Sequence, residues 1–209
     1  MKLAFIGIGK VGFALANNFQ KSGHTIAVAH NDVKSESVQV ALAKNPAFVA
    51  LPLQAAVDQA EVVFLATPFK INQSILEGLN LQGKLLVDCT NPVGPGISHG
   101  LNSAMSGAEK VADWAPSAQV VKAYTIYGFE NLENPIFPSK EVKPVMLVAG
   151  DHAEGKALVQ SLNTDLGFDT LDVGPLSQSL HLEHMTLLWV KMVRQNGHHP
   201  NFTWAYLER

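Results

Sequence analysis

Apolar residues in this chain fall in short continuous runs rather than in strict alternation. Residues 2–6, 25–29, 48–50, 61–66, 84–88 and 119–124 are strand segments built on such runs. The intervening segments 13–19, 35–44, 53–59, 72–79 and 103–114 carry helical periodicity. Uninterrupted apolar strands that alternate with helices predict a parallel sheet covered on both faces. The fold class expected is α/β, a Rossmann-type doubly wound, mostly parallel sheet. Such sheets bind ligands outside the carboxyl ends of their strands. Here those ends are residues 7–12, 29–32, 67–69, 91–96 and 124–128, which should form one rim.

The pattern changes after Gly128. Residues 131–143 include Pro135 and Pro138, are followed by Pro144, and read as an irregular connection. A strand (145–149), a helix (153–166), a strand (169–173) and a final helix (176–195) are expected next. Leu182, Met185, Trp189, Met192 and Val193 form an i, i+3, i+4 stripe on that last helix, suited to a core or a subunit interface. The expected organisation is a Rossmann domain over residues 1–127. A C-terminal α/β extension over 128–209 follows, packed on the same sheet and ending in the long helix.

Composition narrows the class. The 209 residues suffice for one large domain with a full core, and 47% hydrophobic with 16% charged residues excludes a disordered chain. A net charge of −3 supplies no basic stripe, so no nucleic-acid partner is expected. The lone Cys89 excludes an internal disulfide framework and a multi-cysteine metal site. No apolar run approaches the roughly 18 residues that span a bilayer, and Met1 leads almost at once into the first strand. The expectation is a cytoplasmic protein without a membrane partner.

Candidate chemistry begins at Gly7-Ile8-Gly9-Lys10-Val11-Gly12, a G-x-G-x-x-G placed between a predicted strand and a predicted helix. Gly7 permits the tight turn, Gly9 the approach of a pyrophosphate, and Gly12 close packing of helix on strand. The helix N-terminus, with the N–H groups of Lys10 and Val11, would face the phosphates. An NAD enzyme places Asp or Glu at the end of the second strand to hold the ribose hydroxyls. Here His30 and Asn31 stand there, so no carboxylate repels a 2′-phosphate, and NADP is the expected cofactor. Lys34 and Lys10 are candidate cations for that phosphate, while Asp32 offers an NAD-like alternative.

Several stretches resemble the deazaflavin-dependent (coenzyme F-420) NADP oxidoreductases, and also the oxidoreductase domain of the STEAP metalloreductases. They are the glycine loop, residues 66–69 (Ala-Thr-Pro-Phe) and residues 87–96 (Val-Asp-Cys-Thr-Asn-Pro-Val-Gly-Pro-Gly). Residues 114–123, 148–151 and 167–176, and Leu182-Glu183, continue the match in order along nearly the whole chain. Two places depart from the family pattern. Tyr124-Thr125-Ile126 stands where the family has Phe-Asn-Thr, and His30-Asn31 where it has Ser-Arg.

The resemblance implies hydride transfer between NADPH and a deazaflavin, FAD or FMN, or a small acceptor reduced through flavin, in a homodimer built partly with the last helix. Ala66, Thr67, Pro68 and Phe69, with Asn91 and Pro92, then lie where the nicotinamide should rest. Phe69 would wall the ring and Asn91 would hydrogen-bond its carboxamide. Tyr124 and Tyr127 are candidates for the second-substrate pocket or for the core. The cofactors carry such a reaction and the protein aligns them, so no catalytic acid or base is assigned. Two other readings stay open: a non-enzymatic NADP(H) sensor, and an imine reductase related to pyrroline-carboxylate reductase. No metal site is expected. His181 and His184 share a helix face without a third ligand, His198 and His199 should face solvent, and His99 reads as an uncommitted loop residue. Cys89 reads as a small core residue.

Overall fold

The first strand, β1 (Lys2–Ile6), enters α1 (Lys10–Lys21) through the glycine loop, and the same strand–helix step then recurs. The computed structural model describes residues 1–136 and 142–209. In order follow β2 (Thr25–Ala29), α2 (Glu36–Lys44), β3 (Val49–Leu51), α3 (Leu53–Gln59), β4 (Val62–Leu65), α4 (Asn72–Leu76) and β5 (Leu85–Asp88). A small hairpin of β6 (Val93–Gly94) and β7 (Ser98–His99) precedes α5 (Gly107–Trp114), β8 (Gln119–Lys122) and α6 (Phe129–Glu133). Last come β9 (Val145–Gly150), α7 (Ala153–Asp165), β10 (Asp169–Asp172) and α8 (Ser179–Arg194).

Among the described residues the main sheet has eight strands in the order β10-β9-β8-β5-β4-β1-β2-β3. All pairings from β3 across to β8 are parallel. The strand order therefore reverses between β1 and β4, the switch point where doubly wound sheets bind ligands. β9 joins antiparallel to β8, and β10 lies parallel to β9. The mostly parallel Rossmann-type sheet expected from the sequence is thus present, and the later strands extend it.

Both faces are buried, which is why the strands read as continuous apolar runs. One face stacks Phe5 on Phe64 at 4.5 Å, with Phe19 and Tyr124 beside them. The other packs Ile6, Val63, Leu65 and Leu86 against Val57, Leu76 and Val111. Leu182 and Trp189 of α8 are buried and Met185 packs on the core, so the predicted stripe faces inward. Its opposite face carries His181, His184, Leu188 and Lys191.

Some local expectations need correction. The helix expected from residue 103 begins at Gly107, because Ser106 and Glu109 close a capping box there. The β6–β7 hairpin went unseen, being two residues per strand. Residues 129–133, partly within the expected irregular connection, are helical; residues 137–141 of that connection lie outside the described residues. The helix expected over 72–79 ends at Leu76, and residues 69–71 and 176–178 are 3₁₀ turns. His99 is no uncommitted loop residue. It is buried and part of the network described next.

Below the rim, buried charges tie five elements together. Lys122 Nζ, at 0% side-chain exposure, lies 2.8 Å from Asp88 Oδ2 and 3.0 Å from Glu183 Oε1. It also donates to the Thr90 carbonyl, so each ammonium proton has an acceptor. Asp88 Oδ1 takes the Thr90 N–H at 2.9 Å and its hydroxyl at 2.7 Å. Glu183 further accepts the N–H groups of Gly107 and Ala108, at 2.9 and 3.2 Å, at the start of α5. His99 Nε2 lies 2.8 Å from its Oε2. The backbone N–H groups of Leu101 and Ser103 both point to His99 Nδ1, which fixes the neutral tautomer with the proton on Nε2. Burial opposes ionisation of Glu183, but the Lys122 ammonium, the Gly107 N–H and His99 outweigh it and hold the carboxyl below its ordinary value.

Three predictions follow from this packing. A Cβ at Gly12 would fall on the Gly7 carbonyl oxygen, whereas one at Gly9 meets nothing within 4 Å. Gly12→Ala should therefore cost at least about 2 kcal/mol and Gly9→Ala stay within about 0.5 kcal/mol, measured by urea unfolding. Lys122→Met leaves two carboxylates buried without their cation and should cost about 3–5 kcal/mol. Glu183 contributes stability that is complete above its unfolded pKa, about 4.3, and is lost as pH falls through its lower folded value. Glu183→Gln should accordingly be less stable at pH 7 yet show a shallower stability loss below pH ~4. An acid-unfolding profile that superimposes on wild type would contradict this.

Candidate functional site

Three clefts lie in series along the carboxyl ends of the strands. The first, about 270 Å³, is lined by Gly7, Gly9, Ala29, His30 and Asn31 on one side and by Ala66, Thr67, Pro68, Ile71 and Ile75 on the other. It straddles the switch point between β1 and β4. Gly7 has φ +94°, and a Cβ there would stand 2.7 Å from the Ala66 carbonyl. Only glycine lets β1 turn away this close to the β4 loop. Gly9 leaves open space above the first turn of α1, so the backbone N–H groups there are accessible to an anion.

The second cleft, about 240 Å³, shares Ile8, Gly9 and Ser37 with the first and adds Lys10, Phe13, Lys44, Phe129 and Glu133. The third, about 300 Å³, meets the first at Pro68 and is lined by Phe69, Lys70, Asn91, Pro92, Val93 and Gly100.

The structure therefore brings together Gly7, Gly9, His30, Asn31, Ala66, Thr67 and Pro68 in one cleft. Lys10 sits in the second, and Phe69, Asn91 and Pro92 in the third. Gly12 is buried under the loop, and Val11 packs on the core. Lys34 lines none of the three clefts; its N–H closes a turn onto Asp32 Oδ1 at 2.9 Å. Asp32, the NAD-like alternative, is likewise absent from the cleft walls.

The rim residues are braced from behind. Thr67 Oγ1 donates to Asn72 Oδ1 at 2.6 Å, and Asn72 Nδ2 donates to Thr90 Oγ1 at 3.1 Å. Thr90 in turn leads to Asp88 and Lys122. The Thr186 hydroxyl of α8 lies 2.7 Å from the Thr125 carbonyl and 3.1 Å from Asn91 Oδ1. Phe69 packs on Trp114 at 5.5 Å between ring centres.

Tyr124 and Tyr127 belong to the core rather than to a cleft. Tyr124 takes φ +59° at the strand end, which turns its ring inward onto Phe64 and Phe19. The Tyr127 hydroxyl donates to the Val145 carbonyl and accepts the Trp204 N–H. Cys89 is buried, and burial together with Asp88 pushes its thiol well above the ordinary value, in keeping with a core residue. Among the described residues no three His, Cys, Asp or Glu side chains gather as a metal site. No helix among them is long and apolar enough to cross a membrane.

Sequence reasoning missed Ser37, Lys44 and the brace of Asn72, Thr186 and Glu183. Lys44 was the most findable, as a lysine on the same helix as Ser37.

Comparison with known proteins agrees with this geometry. Residues 2–92 match the family described as NADP oxidoreductase, coenzyme F420-dependent. A solved structure from Arthrobacter sp. FB24, assigned as an F420-dependent NADP reductase, has 25% identity, covers 100% of both chains and superposes with a TM-score of 0.84. A hypothetical protein from Sinorhizobium meliloti has 27% identity over 85% of this chain and 87% of its own, with a TM-score of 0.74. An imine reductase from Aspergillus terreus, at 19% identity, shares the fold over 90% of this chain but 60% of its own (TM-score 0.63). The resemblance read from the motifs is therefore borne out: through its glycine-loop half the chain matches the coenzyme F420-dependent NADP oxidoreductases, and over its full length it is similar to a structure assigned to them.

Proposed function

We propose that the protein is an oxidoreductase that moves hydride between NADP(H) and a flavin-like or deazaflavin acceptor. The observation that carries this reading is the series of clefts over the strand ends. The first lies at the switch point where doubly wound sheets take dinucleotides, and the third opens beside it at Pro68, where a second substrate would meet the nicotinamide.

The residues fit NADP(H). Gly9 leaves the α1 N-terminus open to a pyrophosphate, and Ala29, Leu53 and Ile75 give an apolar wall on the adenine side. When bound, the nicotinamide supplies or accepts the hydride, and the protein's task is alignment. Thr67 and Asn91 are each held by a hydrogen bond from behind, so the rim groups that would orient the ring are fixed before binding. The walls of the third cleft carry Lys70 and no acid, which suits transfer between two cofactors better than general-base chemistry. The NADP oxidoreductase family and the Arthrobacter structure support a deazaflavin among the acceptors. The likeness to imine reductases supports a common fold.

Gly9→Val should abolish NADPH binding while the melting temperature stays near wild type, because the branched side chain would enter the phosphate approach from a position whose Cβ meets nothing within 4 Å. Unchanged affinity in that folded variant would remove the glycine loop from the site. Turnover of NADPH with a panel of deazaflavin, FAD, FMN, ferric chelate and a cyclic imine tests the reaction. Reduction of a deazaflavin or flavin is the expected result. Tight NADPH binding with no acceptor reduced would establish the sensor instead, and reduction of the imine alone would establish an imine reductase.

A further inference from the structure

We infer that Lys10, Ser37 and Lys44 form the phosphate-reading subsite that selects NADP(H) over NAD(H). The inference rests on the dinucleotide reading of the first cleft and assigns the residues that read its 2′-phosphate. The ribose that carries this group sits by the carboxyl end of the second strand in a Rossmann site. That end here is His30 and Asn31, both in the wall of the first cleft. Ser37, in the first turn of α2, belongs to the first and second clefts alike, as do Ile8 and Gly9. A phosphate on that ribose therefore projects past Ser37 into the cleft that holds the two lysines.

Those lysines are suited to receive it. Among the described residues neither ammonium has an ion pair or a hydrogen bond. Each lies over an aromatic ring instead: Lys10 Nζ is 4.8 Å from the centre of Phe129, and Lys44 Nζ is 5.3 Å from that of Phe13. Two unpaired cations in a cleft of about 240 Å³ face one carboxylate in its wall, Glu133, and leave a positive balance for an anion. The Ser37 hydroxyl has no closer partner than Ser35 Oγ at 3.5 Å and is free to donate. The family's arginine after the second strand would clamp a phosphate with two parallel bonds. Lysines reaching in from α1 and α2 replace it with two point charges. Lys34, the nearer residue in sequence, sits on an exposed turn outside the cleft.

The test is titration of NADPH and NADH against the wild-type protein and the surface variants Lys10→Ala, Lys44→Ala and Lys34→Ala. Wild type is expected to prefer NADPH. Lys10→Ala and Lys44→Ala should each lose about tenfold in NADPH affinity, the worth of one charged contact, with NADH affinity unchanged. A selective NADPH loss in Lys34→Ala in place of these two overturns the inference. So do parallel losses of both nucleotides, equal wild-type affinities, or NADPH binding that neither lysine affects. In each of those cases the dinucleotide site itself still stands. Binding of neither nucleotide to wild type would remove both the subsite and the reading beneath it.

Discussion

Lys122 is a charge buried completely at the end of a central strand, and its position organises the rest of the rim. An ammonium there is tolerable because three acceptors from three segments take its three protons: Asp88, the Thr90 carbonyl and Glu183. Burial alone would lower its pKa. The two carboxylates, Asp88 first, reverse that and raise it. The triad carries one more negative than positive charge, and the excess rests on Glu183 at the N-terminus of α5, where two N–H groups and the helix dipole offset it. Replacing such a group by hydrocarbons need not weaken a protein, but removing one member alone does.

The network fixes geometry as well as charge. Through Glu183 it seats α8 against the start of α5, and through His99 it holds the β6–β7 hairpin. Through Thr90 and Asn72 it reaches Thr67 in the wall of the first cleft. Four residues after Lys122, Ile126 is already core, and Tyr124 between them adopts a left-handed backbone that sends its ring inward. A bulky residue there is strained. The gain is a filled aromatic cluster with Phe19 and Phe64, so the rim above is left to small and polar residues.

The glycine loop shows the same division between rigid support and open space. Gly7 and Gly12 are pressed against each other and against Ala66, while Gly9 faces nothing. Two glycines thus serve the fold and the third leaves open space above the helix start. Dinucleotide, ribose phosphate and second substrate would then meet different neighbouring walls on one rigid sheet edge.

The sequence by itself determined the sheet and its rim. Continuous apolar runs at β1, β2, β4 and β5 can bury both faces only under helices, and β2 and α3 are legible to the residue. The glycine spacing likewise marked the switch point, since Gly7 and Gly12 each answer a local steric need. What sequence could not decide were contacts between residues far apart in the chain. Glu183 and His99 are 84 positions apart, and Lys122 and Asp88 are 34 apart. A lone histidine in a loop and a glutamate on an amphipathic helix look solvated until the fold brings them together and removes the water. Tyr124 looked as apt for a pocket as for the core, and only its backbone conformation decided. Lys44 looked like an ordinary helix-end lysine until the fold set it over Phe13 in the wall of a cleft shared with Gly9. Local sterics and periodicity are written in neighbouring residues, whereas desolvation and pairing of charges depend on what tertiary packing places around them.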